Sequence, residues 1–123
     1  MKLDPRQGAR LHEYAVTESI LQIVQAELEK SGAARVDGIK VVIGELTSFV
    51  GESIEFYFGE MARGTAAQDA AFSFQRMEAK AVCDGCSTVF RPRHALFVCP
   101  ECGSGAFNLK EGNELYIESI EVS

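Results

Sequence analysis

The sequence predicts a small α/β (α+β) protein: a mixed β-sheet packed with two helices, and an inserted four-cysteine zinc ribbon. Three observations predict this fold. Two segments carry apolar residues at helical spacing, three segments have the composition of strands, and all four cysteines fall within twenty residues. A chain of 123 residues can bury one modest core together with a metal-stapled appendage.

The first helix is predicted from Thr17 to Lys30. Glutamate and glutamine side chains occupy one side of this segment, and Lys30 suits the negative end of the helix dipole. Gly32 follows as a plausible stop signal. The apolar stripe on the other side consists of Ile20, Leu21, Val24 and Leu28.

The remaining elements follow in order along the chain. Ile39 to Ile43 alternates as a strand does, and a second helix is expected from about Glu52 to Arg63. Phe72 and Phe74 mark a second strand, and Leu115 to Val122 is rich in strand-forming residues. The inner face of the second helix is expected to contain Ile54, Tyr57, Phe58 and Met61.

This order of elements predicts a discontinuous main domain. The last strand needs a partner, and the N-terminal sheet is the one available, so the cysteine segment is looped out of it. We expect a flexible N-terminal extension over residues 1–11, an α/β domain formed by residues 12–78 plus 113–123, and a ribbon over residues 79–112. The ribbon is too short to build a core of its own without metal.

The cysteines form two Cys-x-x-Cys pairs that are twelve residues apart. This spacing lets two tight turns aim four sulfurs at one tetrahedral ion, and soft thiolate ligands favour zinc over magnesium or calcium. Four sulfurs fill the coordination shell, so the zinc is expected to be structural. The predicted ligands are Cys83, Cys86, Cys99 and Cys102. The turns are expected to take their backbone freedom from Gly85 and Gly103.

Other interpretations of the cysteines stay open at this point. Two disulfides or a thioredoxin-like redox pair would use the same residues, although a redox motif needs one Cys-x-x-Cys only. An iron-loaded, rubredoxin-like electron carrier has the same ligand set. A zinc ribbon that binds nucleic acid or another protein is a further alternative, in which Phe90 and Phe97 would stack on bases instead of covering the ribbon core.

Composition and charge argue against several classes of function. The net charge of −6 opposes nonspecific binding to nucleic acid or anionic lipid. No apolar run approaches the ~18–20 residues that span a bilayer, and the first ten residues do not resemble a secretory signal, so a cytoplasmic location is expected. No catalytic constellation is apparent, which predicts that the chain is not an enzyme. Glu45 and Glu52 are interpreted as solvated loop carboxylates.

Several short motifs follow one another between Leu11 and the end of the chain: His12-Glu13-Tyr14-Ala15-Val16-Thr17-Glu18-Ser19-Ile20, Val42-Ile43-Gly44-Glu45-Leu46, Glu52-Ser53-Ile54-Glu55-Phe56, Cys99-Pro-Glu-Cys102-Gly, and Gly112-Asn113-Glu114-Leu115 with Ser119-Ile120-Glu121-Val122. In this order they resemble the HypA/HybF family of [NiFe]-hydrogenase nickel-insertion proteins. A cysteine knuckle alone is generic, whereas the whole ordered set is specific to the family.

The resemblance implies a nickel metallochaperone with a separate structural zinc site. It implies transient Ni(II) cargo, delivered to the immature large subunit of [NiFe]-hydrogenase together with a HypB-type GTPase; some relatives also serve urease. By position, the family's nickel-binding histidine is His12, and Glu13 takes the place of a residue that supports the nickel site or partner docking. Considered without the resemblance, His12 fits an ordinary surface histidine.

One departure from the family concerns the N-terminus. In the family the nickel-binding histidine directly follows the starting methionine, whereas ten residues precede Leu11-His12 in this chain. Either these residues are a cloning remnant or a mis-assigned start, or the extension is native and alters the nickel site. The second histidine, His94, lies between the two knuckles and is interpreted as a loop histidine, with a role in zinc or nickel handling as the alternative.

Overall fold

The computed structural model describes residues 10–92 and 97–123, with side chains from residue 13 onward. Residues 1–9 of the expected N-terminal extension, the loop histidine His94 and the side chain of His12 lie outside this description, whereas the last two residues of that extension form the start of α1. The elements, in chain order, are α1 (Arg10–Ser31), β1 (Val36–Gly44), α2 (Gly51–Met61), β2 (Ala71–Met77), β3 (Lys80–Cys83), β4 (Val89–Phe90), β5 (Phe107–Glu111) and β6 (Leu115–Val122).

The helix α1 begins seven residues before the predicted start at Thr17. The extra turns continue the buried stripe from Thr17 toward the N-terminus through Val16 and Glu13, and all three residues are less than one-tenth exposed. Thr17 fits this apolar surface because its hydroxyl donates a hydrogen bond to the carbonyl oxygen of Glu13 at 2.6 Å. The stripe is therefore continuous in the structure, although two of its members are polar.

The main sheet has the strand order β2-β1-β6. β1 runs parallel to β2, with α2 as the connection between them, and antiparallel to β6. One face of the sheet packs with the helices and forms a single core. Among the described residues, the largest fully buried side chains are Phe49, Phe58, Ile20, Ile39, Ile43, Ile54, Leu115, Val24, Val36, Val41, Val42 and Thr17.

The predicted elements of this layer are confirmed, with local differences. β6 has the predicted bounds, and α2 ends at Met61 instead of Arg63. On α2, Ile54 and Phe58 are buried as expected, whereas Tyr57 and Met61 are half-buried. β1 extends beyond the predicted strand at both ends, and nearly all of its apolar side chains are buried because it lies between β2 and β6.

The second sheet contains the cysteine segment and has the strand order β4-β3-β5. Its small core combines Ala81 and Phe90 with two of the cysteines, and the rings of Phe90 and Phe107 meet edge to face at 5.5 Å. Phe90 therefore covers the ribbon core, as expected, whereas Phe97 is 41% exposed. These three strands were not predicted individually.

The two sheets are joined at a tightly packed crossing of three chain segments. The turn after β1 donates backbone hydrogen bonds from Glu45 to Met77 O at 2.8 Å and from Leu46 to Gly112 O at 2.8 Å, so it holds both connections to the ribbon. A Cβ on Gly44 would clash with the backbone of Gly112. The main sheet thus takes strands from both sides of the ribbon, while the domain boundaries at residues 78 and 113 stay a prediction.

Candidate metal centres

The four predicted zinc ligands converge on one point. Their sulfur atoms all lie within 4.8 Å of one another, and the Cys83–Cys102 and Cys86–Cys99 pairs are each 3.5 Å apart. Sulfurs at the corners of a tetrahedral zinc site, with bonds of about 2.3 Å, are about 3.8 Å apart. A disulfide needs about 2.05 Å, and all four cysteines are free thiols. The donor set therefore fits a four-coordinate zinc ion.

The two knuckles have equivalent backbone geometry. In the first, the N–H of Ser87 donates to Cys83 O at 3.0 Å; in the second, the N–H of Gly103 donates to Cys99 O at 2.8 Å. The residue after the second cysteine is left-handed in both, with φ of 63° at Ser87 and 73° at Gly103. The prediction for Gly103 is confirmed.

The prediction for Gly85 is wrong, because the left-handed residue of the first knuckle is Ser87. Gly85 instead packs close to the sulfurs: a Cβ there would lie 3.8 Å from Cys83 Sγ, and its N–H donates to the same sulfur at 3.4 Å. The sequence signal that could have identified Ser87 is its position, which matches that of Gly103 in the second knuckle.

Hydrogen bonds within the cluster separate the acidities of its thiols. Hydrogen bonds with the side chain and then the backbone of Thr88 lower the pKa of Cys86 to about 6. A backbone hydrogen bond with Ser104 favours the Cys102 thiolate, but the bonds with its sulfur neighbours together outweigh it and raise the pKa of Cys102 to about 12. Four thiols in this volume do not ionise together readily, and a bound divalent cation compensates the negative charge.

Side chains also tie the ribbon to the α/β layer. The carboxylate of Glu45 accepts a hydrogen bond from the N–H of Ala79 at 2.8 Å and pairs with the Arg91 guanidinium at 3.4 Å. Arg91 also pairs with Glu78 at 3.5 Å. The Glu45 side chain is partly exposed, as predicted, but it also links the ribbon to the α/β layer through these contacts. Glu52 is exposed, as predicted. Arg91 is thus engaged by carboxylates of its own chain.

The predicted nickel end of the molecule is the first part of α1. His12 lies in the first turn of the helix. The next residue, Glu13, is only 4% exposed, and its carboxylate accepts a hydrogen bond from the N–H of Val50 at 2.6 Å. Val50 is the N-cap residue of α2. Glu13 therefore ties the amino end of α1 to the amino end of α2.

Comparison with known proteins identifies the family. The family model described as "Hydrogenase/urease nickel incorporation, metallochaperone, hypA" matches residues 11–122. The chain belongs to the HypA family. This confirms the resemblance, and the description as a metallochaperone agrees with the prediction that the chain is not an enzyme. The first ten residues lie outside the matched region.

Relatives named "Hydrogenase maturation factor HypA" match over most of their length. The one from Caldanaerobacter subterraneus subsp. tengcongensis is 40% identical over 113 residues, covering 91% of this chain and 99% of the relative. One from Dehalococcoides mccartyi is 38% identical over 112 residues, covering 91% of this chain and 94% of the relative.

Solved HypA structures share the fold. The solution structure of the Ni metallochaperone HypA from Helicobacter pylori has a TM-score of 0.63 at 25% identity and covers 89% of this chain and 96% of that one. Another solution structure of a HypA protein has a TM-score of 0.70 at 25% identity, covering 92% of this chain and 97% of that one. The predicted fold class, with two helices, small sheets and a four-cysteine metal site, is confirmed.

Within the described part of this HypA-family chain, neither helix is long and apolar enough to cross a membrane.

Proposed function

We propose that this protein binds Ni(II) at the amino end of α1 and delivers it to the immature large subunit of [NiFe]-hydrogenase, while zinc in the four-cysteine site holds the ribbon together. The match to a nickel-incorporation family over residues 11–122 carries the proposal, because it includes both the His12-Glu13 motif and the cysteine knuckles. In this proposal the protein works in the cytoplasm with a HypB-type GTPase, and urease maturation factors are a further candidate set of partners.

The proposed nickel ligand is His12, together with nearby backbone nitrogens. Imidazole suits nickel, and a square-planar nitrogen set is a geometry that Ni(II) adopts more readily than Zn(II). The first four N–H groups of a helix have no partner within the helix, and His12 lies in that turn of α1. Backbone amides there can turn to a metal without the loss of a helical hydrogen bond.

Glu13 is proposed to position this site without binding the metal itself. Its carboxylate is buried and already accepts the N–H of Val50, so its contribution is to fix the orientation of the first helical turn. A ligand role would require the carboxylate to leave that hydrogen bond. The nickel affinity needed for a carrier is micromolar to nanomolar, about −8 to −12 kcal/mol, because the cargo must be released.

The proposed zinc is structural because four thiolates leave no open coordination position for a water or substrate. It stabilises a ribbon whose own core is small, and the apparent binding free energy of such sites is about 10–16 kcal/mol and coupled to folding. Cys86 and Cys102 are exposed, so the metal is accessible to chelators from one side. Visible absorbance of the purified protein distinguishes an iron-loaded site from zinc.

A nucleic-acid module is the less favoured alternative. The described arginine of the ribbon, Arg91, is paired with Glu45 and Glu78, and Phe90 is buried in the ribbon core. Neither is therefore displayed for phosphate binding or base stacking. The proposal includes no nucleic-acid partner and no membrane.

The decisive experiment is a calorimetric nickel titration of the zinc-loaded protein. His12→Ala is expected to abolish nickel binding and to leave the zinc content unchanged, and His94→Ala is the matched control because these are the chain's two histidines. Nickel binding that survives His12→Ala would move the site elsewhere. If neither the full chain nor a version in which His12 directly follows the starting methionine binds nickel, the proposed function loses its main support.

The same titration tests the N-terminal extension. A shortened version, in which His12 directly follows the starting methionine, places the terminal amine beside the imidazole. Tight binding by the shortened form alone would show that the extension blocks the site. Equal binding would show that the terminal amine is dispensable.

A further inference from the structure

Three aromatic rings form a continuous strip across α1 and α2. The rings of Tyr14 and Tyr57 meet edge to face with centroids 5.6 Å apart, and those of Tyr57 and Phe56 do so at 5.7 Å. Phe56 is 64% exposed and Tyr14 is 48% exposed, and Val50 nearby on the chain is 45% exposed. The strip, defined as Tyr14, Phe56 and Tyr57, therefore displays aromatic surface to solvent.

The core does not account for this exposure. The buried side of α2 consists of Gly51, Ile54 and Phe58. Phe56 points away from them, and single exposed apolar residues are common, whereas contiguous aromatic surface is typical of interaction sites. Aromatic side chains also bury a large area at low conformational cost when a partner covers them.

Acidic residues predominate along both helices that carry the strip. Residues 13–29 contain four glutamates, residues 51–61 contain three, and neither segment contains a lysine or an arginine. Glu18, Glu52 and Glu55 are exposed, and they make no ion pair with the residues that the structure describes. The strip is thus an apolar centre with a rim of unpaired negative charge, which is complementary to an apolar pocket bordered by lysine and arginine.

The strip lies at the proposed nickel end of the molecule. Tyr14 follows Glu13 directly, and Glu13 in turn holds Val50 at the start of α2. A metal carrier has to bring its cargo within bonding distance of the acceptor's ligands. A docking surface next to the cargo site therefore suits the protein that receives the metal.

We propose that the strip and its acidic rim are the docking surface for the immature hydrogenase large subunit, which would contact it through an apolar pocket bordered by basic side chains. This inference rests on the proposed function, because it names the surface through which the acceptor approaches. Phe56, the most exposed ring of the strip, is the main anchor, and Glu52 and Glu55 attract the basic residues that border the partner's pocket.

The test measures binding of the zinc- and nickel-loaded full chain to the immobilised, nickel-free large-subunit precursor. Phe56→Ser is expected to weaken binding at least about 10-fold, as removal of an interface anchor does. Val89→Ser is the matched control, because Val89 is 57% exposed but lies in the ribbon strand β4; it should bind as wild type does. Both variants should bind nickel normally, since neither side chain belongs to the nickel site.

Charge provides an independent readout on the same assay. The double substitution Glu52→Lys and Glu55→Lys is expected to slow association and to remove most of its salt dependence between about 50 and 300 mM NaCl. If the Phe56→Ser variant and the double variant both bind the precursor as wild type does, the inference is overturned. Weakening of GTPase binding alone would also overturn it, because the strip would then serve a different partner.

The outcomes separate this inference from the proposed function. If wild type binds nickel but not the precursor, both the docking inference and the delivery step are overturned, while nickel binding stands. If wild type binds both and only the Val89→Ser control loses the precursor, the docking surface is on the ribbon and the delivery function survives.

Discussion

Removal of the Glu13 carboxylate tests whether the amino ends of the two helices depend on each other. Glu13 is 4% exposed and accepts the N–H of Val50 at 2.6 Å. In Glu13→Ala this N–H loses its partner in a partly buried position, and a charge-assisted bond disappears with it. These two effects together predict a loss of about 2–3 kcal/mol in the free energy of unfolding. Glu13→Gln keeps an acceptor oxygen and is expected to cost about 1 kcal/mol.

Urea unfolding of the zinc-loaded protein, followed by tyrosine fluorescence, measures this effect. The three tyrosines, Tyr14, Tyr57 and Tyr116, all lie in α1, α2 or β6, so the signal does not come from the ribbon. The matched control is Glu18→Ala, one turn further along α1 at an exposed position, which should stay within about 0.5 kcal/mol of wild type. If Glu13→Ala unfolds as this control does, the carboxylate does not anchor α2.

The same series decides how nickel data at this position are to be interpreted. Glu13→Ala changes both the helix anchor and any metal contact, so a loss of nickel binding in that variant is ambiguous. Glu13→Gln keeps the hydrogen bond and removes the charge. A variant that is stable but fails to bind nickel would show a direct electrostatic role for the carboxylate, whereas parallel losses of stability and affinity would show positioning.

Three further perturbations concern the ribbon and its attachment. Gly112→Ala is expected to lower the free energy of unfolding in urea by at least about 2 kcal/mol, because φ is +116° and the new Cβ would lie 2.7 Å from Ala79 Cα. Gly32→Ala is the control, because φ is +71° there and no atom lies within 4 Å of the new Cβ. It should show only the cost of backbone strain, about 1–2 kcal/mol. Arg91→Ala should change the free energy of unfolding by less than about 1 kcal/mol. It should also let the ribbon sample a wider range of orientations, which would reduce the residual dipolar couplings measured for the ribbon. Metal chelation should collapse the amide signals of residues 80–111 and preserve those of the helices; intact ribbon signals after zinc removal would contradict a structural metal.

The four-cysteine site could be predicted from the sequence because its constraints are local. Two knuckles of fixed spacing bring their own sulfurs together, so Cys83, Cys86, Cys99 and Cys102 were assigned without knowledge of the rest of the fold. β6 was predicted with its observed bounds for a related reason: its composition is that of a strand throughout. The left-handed conformation at Ser87 was missed, since composition favours the glycine two positions earlier.

The start of α1 could not be predicted from apolar periodicity. Its first buried positions include Glu13 and Thr17, polar residues whose burial depends on partners elsewhere: Val50 for the carboxylate and a backbone carbonyl for the hydroxyl. The crossing between the sheets escaped prediction for the same reason. The packing of Gly44 against Gly112 joins segments far apart in the chain, and nothing in either segment alone identifies the other.

The proposed nickel site lies on α1, outside the ribbon that carries the four cysteines, which raises the question of whether the ribbon's attachment influences the start of α1. Arg91 contacts Glu45, and the segment after Glu45 leads to Val50, which Glu13 holds. That segment is braced locally, because both the N–H and the hydroxyl of Thr47 donate to Gly44 O, at 3.1 and 3.0 Å.

A double-mutant cycle of Arg91→Ala and Glu13→Gln measures this influence in the free energy of unfolding. The two side chains share no described partner, and the braced turn lies between their contacts, so their effects should add within about 0.5 kcal/mol. A larger coupling energy would show that the turn transmits strain from the ribbon to the first turn of α1. Additivity would mean that the Arg91 contacts and the Glu13 anchor stabilise the protein independently of each other.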